Sequence, residues 1–425
     1  MPCDQGGANP SDLYHQHGIR EQVCTRAEYS GKEIILHVET KEVKRYCTHC
    51  KSENVIKSGV VIKKYKSVPV GGKSVTIQMK VQRLECKDCG CVCQEHVHFA
   101  DERASYTHRM KRYVADLCRI GTLLAVAKFI GMSWNTVKEI VKAYLKNHYS
   151  KPDLSSLRHI GIDEFAAKKG HVYKTIVVNL ETGQIVYVGE GKGADSLNGF
   201  WKKLKKAGAK IESVATDLSA AYISAVKTNL PDATYVFDHF HVVKLINEAL
   251  DKVRKRIVRE ERAKDKEESG NAQADGESAP KNPRYSIIKG TKYILLRNRD
   301  DLTKDGDIER LNAALNLNKD LYTAYYLKED AKLIWNCDDK QQASTQLADW
   351  LAKLRVSDIP ELAKLADSIQ KHSDGILAYY DKRISTGMVE GINNKIKTLK
   401  RAAYGFRDNV YFNRRLLALH DFKVA

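Results

Sequence analysis

The stretch His159-Ile-Gly-Ile-Asp-Glu-Phe-Ala-Ala-Lys-Lys-Gly-His-Val-Tyr-Lys-Thr-Ile-Val-Val-Asn-Leu-Glu-Thr-Gly-Gln-Ile-Val-Tyr-Val188 decides the fold. Arg158–Asp163, Val172–Leu180 and Gln184–Val188 are rich in β-branched and aromatic residues, and Glu181-Thr-Gly183 supplies a turn, so three strands in a meander are predicted. Helical spacing from Asp195 to Lys206, an apolar run Ile211–Asp217, a second helical stretch Ser219–Asn229, a run Thr234–Asp238 and a long helix from near Phe240 continue the chain. The order is βββαβαβα. Three antiparallel strands followed by parallel βα units is the order of the ribonuclease-H-like fold, an α/β sheet flanked by helices.

Two of these runs end in acids, Asp163 after His159-Ile-Gly-Ile and Asp217 after Val214-Ala-Thr. A carboxylate at the end of a buried strand is costly unless a cation or hydrogen-bond donors stabilise it, so the pair points to a metal site. A third acid, Glu390, lies where Ser385 or Thr386 can cap a helix that puts Glu390, Asn393, Asn394 and Lys397 on one face. A few oxygen ligands suit Mg²⁺, which binds phosphate oxygens at the same time. Two such ions about 4 Å apart can activate an attacking oxygen and stabilise a leaving one in phosphodiester chemistry. Strand-end carboxylates also cap turns, and spacing alone leaves that reading open.

Upstream, Cys47-Thr-His-Cys50 and Cys86-Lys-Asp-Cys89 are two knuckles, each able to present two thiolates to one side of a tetrahedral Zn²⁺. Between them Val60–Tyr65, Ser67–Val70 and Ser74–Arg83 read as strands with Gly71-Gly72 as a turn, the layout of a zinc ribbon holding one ion. Cys91 or Cys93 could replace Cys89, and His49, His96 or His98 could ligate. Cys3, Cys24, Cys118 and Cys337 are isolated and read as small apolar residues. From Thr107 to Tyr149 three helices follow. Gly131 stands in the bend between the second and third and Ser133 is a suitable N-cap, which makes a helix-turn-helix. Trp134, Asn135, Thr136 and Lys138 would begin the recognition helix, where side chains reach bases and phosphates.

The chain of 425 residues carries a net charge of +18. Lys44–Ser150 has 20 basic and 8 acidic residues and Gly391–Ala425 has 8 and 2, so these segments hold the whole excess. Two nucleic-acid-facing regions are expected, since each phosphate contact releases counterions. No apolar run approaches the ~20 residues of a membrane span, and the polar N-terminus is not a secretory signal. A cytoplasmic protein is expected. The stretch Lys264–Pro283 lacks aromatic and β-branched residues and reads as a disordered loop. Tyr285–His372 is mostly helical, with Leu311, Leu315, Leu317, Tyr322, Tyr325, Tyr326, Trp335 and Trp350 as core candidates.

Gly161-Ile-Asp-Glu-Phe-Ala-Ala-Lys-Lys-Gly-His171, Asp217-Leu-Ser-Ala-Ala-Tyr222, Phe237-Asp-His-Phe-His-Val-Val-Lys244, Ser385-Thr-Gly-Met-Val-Glu-Gly-Ile-Asn-Asn-Lys395 and Leu399-Lys-Arg-Ala-Ala-Tyr-Gly-Phe-Arg407 resemble the bacterial insertion-sequence transposases of the ISL-three family. The resemblance covers nearly the whole chain from Cys47 onward. It implies an Asp-Asp-Glu transposase whose catalytic acids are Asp163, Asp217 and Glu390, the acids chosen above. It also makes His241, in Asp238-His-Phe-His241, a secondary catalytic candidate at the scissile phosphate. The chain departs from the family in Thr386 before Gly387, where Asn is usual, and in Leu218, where Met is common. Asp217 and Glu390 are separated by 172 residues, so a helical insertion is expected to interrupt the catalytic core.

The expected organisation is an N-terminal segment (1–43), zinc ribbon (44–100), helix-turn-helix domain (101–150), first part of the core (151–260), disordered loop (261–284), helical insertion (285–380) and C-terminal part of the core with a basic tail (381–425). The DNA-binding modules would hold terminal inverted repeats in double-stranded DNA, and the core would cut and join there with two Mg²⁺. Lys395, Lys397, Lys400, Arg401 and Arg407 would grip backbone phosphates. Joining two element ends to target DNA calls for a homodimer or larger assembly, associated with the bacterial nucleoid. The rival readings are a non-catalytic DNA-binding regulator and a nuclease on the same fold.

Overall fold

The computed structural model describes residues 10–422 apart from 42, 43, 169, 238, 275–282, 383, 385 and 386. It comprises two compact units, Met1–Lys151 with Ile396–Ala425, and Pro152–Lys395.

The first unit begins with helix α1 (Pro10–His17) and strands β1 (Gln22–Tyr29), β2 (Glu33–Thr40), β3 (Val55–Val70), β4 (Lys73–Cys86) and β5 (Val92–Gln94). β3 and β4 form a long antiparallel hairpin turned at Gly71-Gly72, whose φ angles of 58° and 77° are left-handed and suit glycine. The two strands expected over Val60–Val70 are one, with a bulge between Ser67 and Val70 instead of a break. β2 runs parallel to β4, from Glu33↔Ser74 to Val38↔Met79, giving the order β1-β2-β4-β3 with β5 paired to β4. The segment before residue 43 is therefore not separate from the ribbon but supplies two strands of its sheet. Val75, Ile77, Met79 and Val81 alternate along β4 into a core shared with Leu13, Ile19, Leu36, Val38, Tyr65 and Phe99.

Helices α2 (His108–Ile120), α3 (Leu123–Ile130) and α4 (Trp134–Tyr149) follow, capped by Thr107, Thr122 and Ser133, each accepting a backbone N–H three residues on. Gly131 ends α3 in the left-handed region (φ 63°, ψ 43°), as its place in the bend predicts. Lys66 on β3 donates from Nζ to the Gly131 carbonyl at 2.8 Å, tying the sheet to this turn.

The second unit holds β6 (His159–Lys168), β7 (Val172–Asn179), β8 (Ile185–Glu190), α5 (Asn198–Ala207), β9 (Ser213–Thr216), α6 (Ala220–Asn229), β10 (Thr234–Phe237) and α7 (His239–Ala274). The sheet order is β10-β9-β6-β7-β8, with β6, β7 and β8 an antiparallel meander and β6, β9 and β10 parallel. Ile160, Ile162, Val177, Val186 and Val214 pack one face against Phe200, Trp201 and Leu204 of α5 and Tyr222 and Val226 of α6. β6 does not stop at Asp163. Phe165 and Ala167 stay buried, so the alternation carries the strand to Lys168, and only its pairing with β9 ends at Ile162↔Thr216.

The loop expected from residue 264 is helical as far as Ala274, because Glu, Lys, Ala and Gln favour helix even without an apolar stripe; the loop's remainder over 275–282 lies outside the described residues. Seven helices follow: α8 (Pro283–Lys289), α9 (Lys292–Leu295), α10 (Asp305–Leu317), α11 (Lys319–Asp330), α12 (Lys340–Val356), α13 (Pro360–Gln370) and α14 (Ser373–Leu377). Their core includes Leu311, Leu315, Tyr325, Trp350 and the α7 residues Val253 and Ile257. Tyr322 and Tyr326 lie at the surface instead, 47% and 37% exposed.

Helix α15 (Gly387–Ala402) is shared, its residues from Ile396 belonging to the first unit, and α16 (Asn409–Leu417) follows. Tyr411, Ala418 and Phe422 fill a core with Met110, Val114, Val126, Val137, Val141 and Leu145. The expected segment 381–425 is thus divided. Its last part completes the helix-turn-helix unit, since α16 buries an apolar face that the surrounding arginines mask in the sequence.

Candidate active site and nucleic-acid interface

In the second unit, β6 and β9 are parallel neighbours in the register Ile160↔Val214 and Ile162↔Thr216. Asp163 and Asp217 each come one residue after the last of these pairs, so the register places them side by side where the two strands separate. Asp217 Oδ1 accepts the Ser219 N–H at 3.1 Å, while the Asp217 carbonyl accepts from Thr216 Oγ1 at 2.6 Å. Asp163 accepts its neighbour's N–H (Glu164) on Oδ1 at 2.7 Å and Asn393 Nδ2 on Oδ2 at 2.5 Å.

Asn393 lies on α15 one turn after Glu390. Val389, Ile392, Ile396 and Leu399 form the buried stripe of this helix, and Glu390 is exposed. Val389 packs on Gly161 so closely that a Cβ there would lie 2.6 Å from Val389 Cγ2, which is why β6 carries glycine two residues before Asp163. Ser385 and Thr386, the expected caps, lie outside the described residues. Among the described residues, Asp163, Asp217 and Glu390 are not gathered within 4.8 Å of one another.

Glu164 points toward α6, where Tyr222 OH donates to it at 3.3 Å and in turn meets Thr175 Oγ1 at 2.9 Å. Burial, and then the charge of Asp217, raise its carboxyl above the usual range. A fourth acid therefore shares the negative field. The motif Asp163-Glu164 is visible in the sequence, but the link to Tyr222 depends on a contact 58 residues away. His241 is half-buried in the first turn of α7, and Asp238 lies outside the described residues.

In the first unit the two cysteine knuckles are built alike. Lys51 N–H bonds the Cys47 carbonyl at 2.9 Å and Gly90 N–H the Cys86 carbonyl at 3.0 Å, and Lys51 and Gly90 both have positive φ (65° and 69°). The thiols of Cys47, Cys50, Cys86 and Cys89 lie within 4.8 Å of one another, with Sγ–Sγ distances of 3.7 Å for Cys47–Cys89 and 3.5 Å for Cys50–Cys86. A tetrahedron with Zn–S bonds of ~2.3 Å has edges of about 3.8 Å, so the donor set fits Zn²⁺. The Cys50 N–H lowers the Cys47 thiol to about 6 and the Cys89 N–H lowers that of Cys86, while the neighbouring thiols raise those of Cys50 and Cys89, so without a metal two of the four favour the thiolate. His49 and Cys91 gather around Cys89 in a second group, whereas Cys93 pairs with Leu84 in the sheet and His96 stacks edge-on against His98.

Of the recognition-helix candidates, Trp134 and Asn135 are exposed at the start of α4, and Thr136 closes the cap on Ser133. Lys138 is engaged by Asp408 at 3.0 Å, a partner absent from any local reading of the helix. Lys395, Lys397, Arg401 and Arg407 are exposed, and Lys400 is half-buried with its ammonium pKa lowered by burial. No helix among the described residues is long and apolar enough to cross a membrane.

Residues 160–416 match a family model described as transposase, and residues 95–145 match the helix-turn-helix domain of transposase family ISL3. The chain is 30% identical over 393 residues to the transposase for insertion sequence element IS1001 of Bordetella parapertussis, with 92% of each chain covered. It is 30% identical over 391 residues to the transposase for insertion sequence element IS1557 of Mycobacterium tuberculosis strain H37Rv, with 89% of this chain and 86% of the relative covered. Among solved structures it is similar to the Drosophila P element transposase strand transfer complex, at 14% identity over 75% of this chain and 93% of that one. The TM-score of 0.39 is too low to carry an argument. A helix-turn-helix joined to a transposase domain defines an enzyme that acts on DNA. The chain belongs to the transposase family ISL3, and it is a DDE transposase.

Proposed function

We propose that the second unit is a ribonuclease-H-like catalytic core, interrupted between β10 and α15 by the helices α8–α14, in which Asp163, Asp217 and Glu390 are the catalytic acids. The carrying observation is the register of β6 with β9, which sets Asp163 beside Asp217, joined to the Asn393 bond that brings the Glu390 helix to Asp163. The donors are hard oxygens, and Asn393 Oδ1 is buried with no hydrogen-bond partner, an arrangement that fits a hard cation such as Mg²⁺. When bound, two Mg²⁺ supply an activated attacking oxygen and charge neutralisation at the leaving one. The protein's part is to hold the acids. The Glu164 N–H and Asn393 orient Asp163, the Ser219 N–H orients Asp217, and His241 at the head of α7 contacts the scissile phosphate.

The substrate is the double-stranded DNA of the element's terminal inverted repeats, and then target DNA, with a freed 3'-hydroxyl displacing a target phosphodiester. Trp134 and Asn135 read the repeat, while Lys395, Lys397, Lys400, Arg401 and Arg407 bind phosphates. One structural Zn²⁺ on Cys47, Cys50, Cys86 and Cys89 holds the ribbon. A homodimer or larger assembly, working at the bacterial nucleoid, brings two ends together.

The test is cleavage and strand transfer with Mg²⁺ on duplexes from the inverted repeats flanking the gene. Wild type should yield joined products and Asp217→Asn none. Cleavage without joining supports a nuclease instead, and equal products from both proteins remove the acids from the mechanism.

A further inference from the structure

Asp408 does two jobs at once. Its carboxylate caps α16 by accepting the Tyr411 N–H at 2.9 Å, and it also receives Lys138 Nζ at 3.0 Å and Lys142 Nζ at 2.7 Å from α4. All three side chains are four-fifths to three-quarters buried, so the group is not a loose surface pairing. Trp134, Lys138 and Lys142 form an i, i+4, i+8 stripe on α4, with Lys138 Nζ 5.6 Å from the Trp134 ring centroid.

The surrounding contacts hold Asp408 against that stripe. Arg414 donates to the Lys142 carbonyl at 3.0 Å, Tyr149 OH bonds Asp421 at 2.5 Å, and Arg415, 2% exposed, lies over the Phe422 ring. Tyr411 and Phe422 sit in the same core as Val137 and Val141 of α4. One carboxylate thus faces two cations of α4.

We infer that Asp408 is a specificity-determining residue for DNA binding. As an internal counter-anion it withholds Lys138 and Lys142 from the DNA backbone, so that what α4 contributes to binding depends on its base-reading start rather than on its charge. Phosphate contacts give affinity without sequence information, and each adds about 0.9 to the slope of log K against log salt. Holding two lysines on one internal carboxylate, which cancels one of their two charges and ties down both ammonium groups, lowers non-specific binding most and leaves recognition by Trp134 and Asn135 in place. The inference rests on the reading of α4 as the recognition helix.

Asp408→Asn separates the two jobs, because asparagine caps a helix as well as aspartate but carries no charge. Asp408→Ser is a second neutral cap. Binding to inverted-repeat and shuffled duplexes is titrated by fluorescence anisotropy between 50 and 300 mM salt. Both variants should bind shuffled DNA about tenfold more tightly at low salt, steepen the slope by up to about 1.8, and narrow the specific-to-shuffled ratio. Adding Lys138→Met and Lys142→Met to Asp408→Asn should return the slope to that of wild type. An unchanged slope in both neutral variants, with melting temperatures within a few degrees of wild type, overturns the inference. So does loss of binding to both duplexes, which makes Asp408 a scaffold. Wild type binding neither duplex refutes the recognition-helix reading itself.

Discussion

Asn393 Nδ2 donates to Asp163 Oδ2 at 2.5 Å, joining residues 230 positions apart and fixing α15 to β6 at the point where β6 and β9 separate. In the proposed mechanism this outer partner orients one of the catalytic acids. Asn393→Ala should lower strand-transfer activity by about 10- to 100-fold while leaving DNA binding within twofold. Parallel transfer and anisotropy assays check this, and an undiminished transfer rate would deny Asn393 the role.

Gly161 is the second join between the same elements. A methyl group there meets Val389 Cγ2 at 2.6 Å and Leu180 Cδ2 at 2.9 Å. Gly161→Ala should destabilise the protein by about 1–3 kcal/mol and weaken transfer as α15 shifts. Val389→Ala added to it should recover part of the loss, a coupling that urea titration of the double-mutant cycle measures.

The ribbon should contain one zinc per chain. The double variant Cys47→Ser, Cys86→Ser should retain none by metal analysis, melt at lower temperature and bind repeat DNA less tightly, because structural zinc contributes directly to folding free energy. Zinc at one per chain in that protein would move the site elsewhere.

His17 gives the first unit a pH dependence. Burial, and secondarily the charge of Arg109, lower its imidazole to about 4, and it meets Ser67 Oγ at 2.9 Å. The unfolded chain takes up that proton near 6.5. The neutral ring therefore contributes its full stability above pH 6.5, and the contribution is lost as pH falls toward 4. Wild type should lose about 2 kcal/mol between pH 7 and 5 from this group. His17→Asn should show a correspondingly flatter urea midpoint over that interval.

The parts legible in the sequence were those with a local cause. Gly131 and Ser133 announce the turn and cap that the structure contains, the paired C-x2-C spacings mark the thiols that gather, and Glu181-Thr-Gly183 separates β7 from β8. What escaped depends on distant partners. Nothing within Glu33–Thr40 specifies that it will lie parallel to β4, and the charged run after Lys264 has helix propensity but no stripe to announce a helix. The sequence reads the acids as strand endings, yet Asp163 is mid-strand, where one neighbour leaves and the other continues. Asp408 could have been noticed as a capping residue before Val410, Tyr411 and Phe412, but its hold on Lys138 could not.

The bond from Tyr149 to Asp421 spans 272 positions, and the core around α4 needs Tyr411 and Phe422. During synthesis, α4 therefore waits for the ribosome to pass the whole second unit before its packing is complete. A product cut short by a frameshift or an early stop between these points keeps the helix-turn-helix sequence but not its finished core. Truncated copies should therefore bind DNA less tightly than the full-length protein.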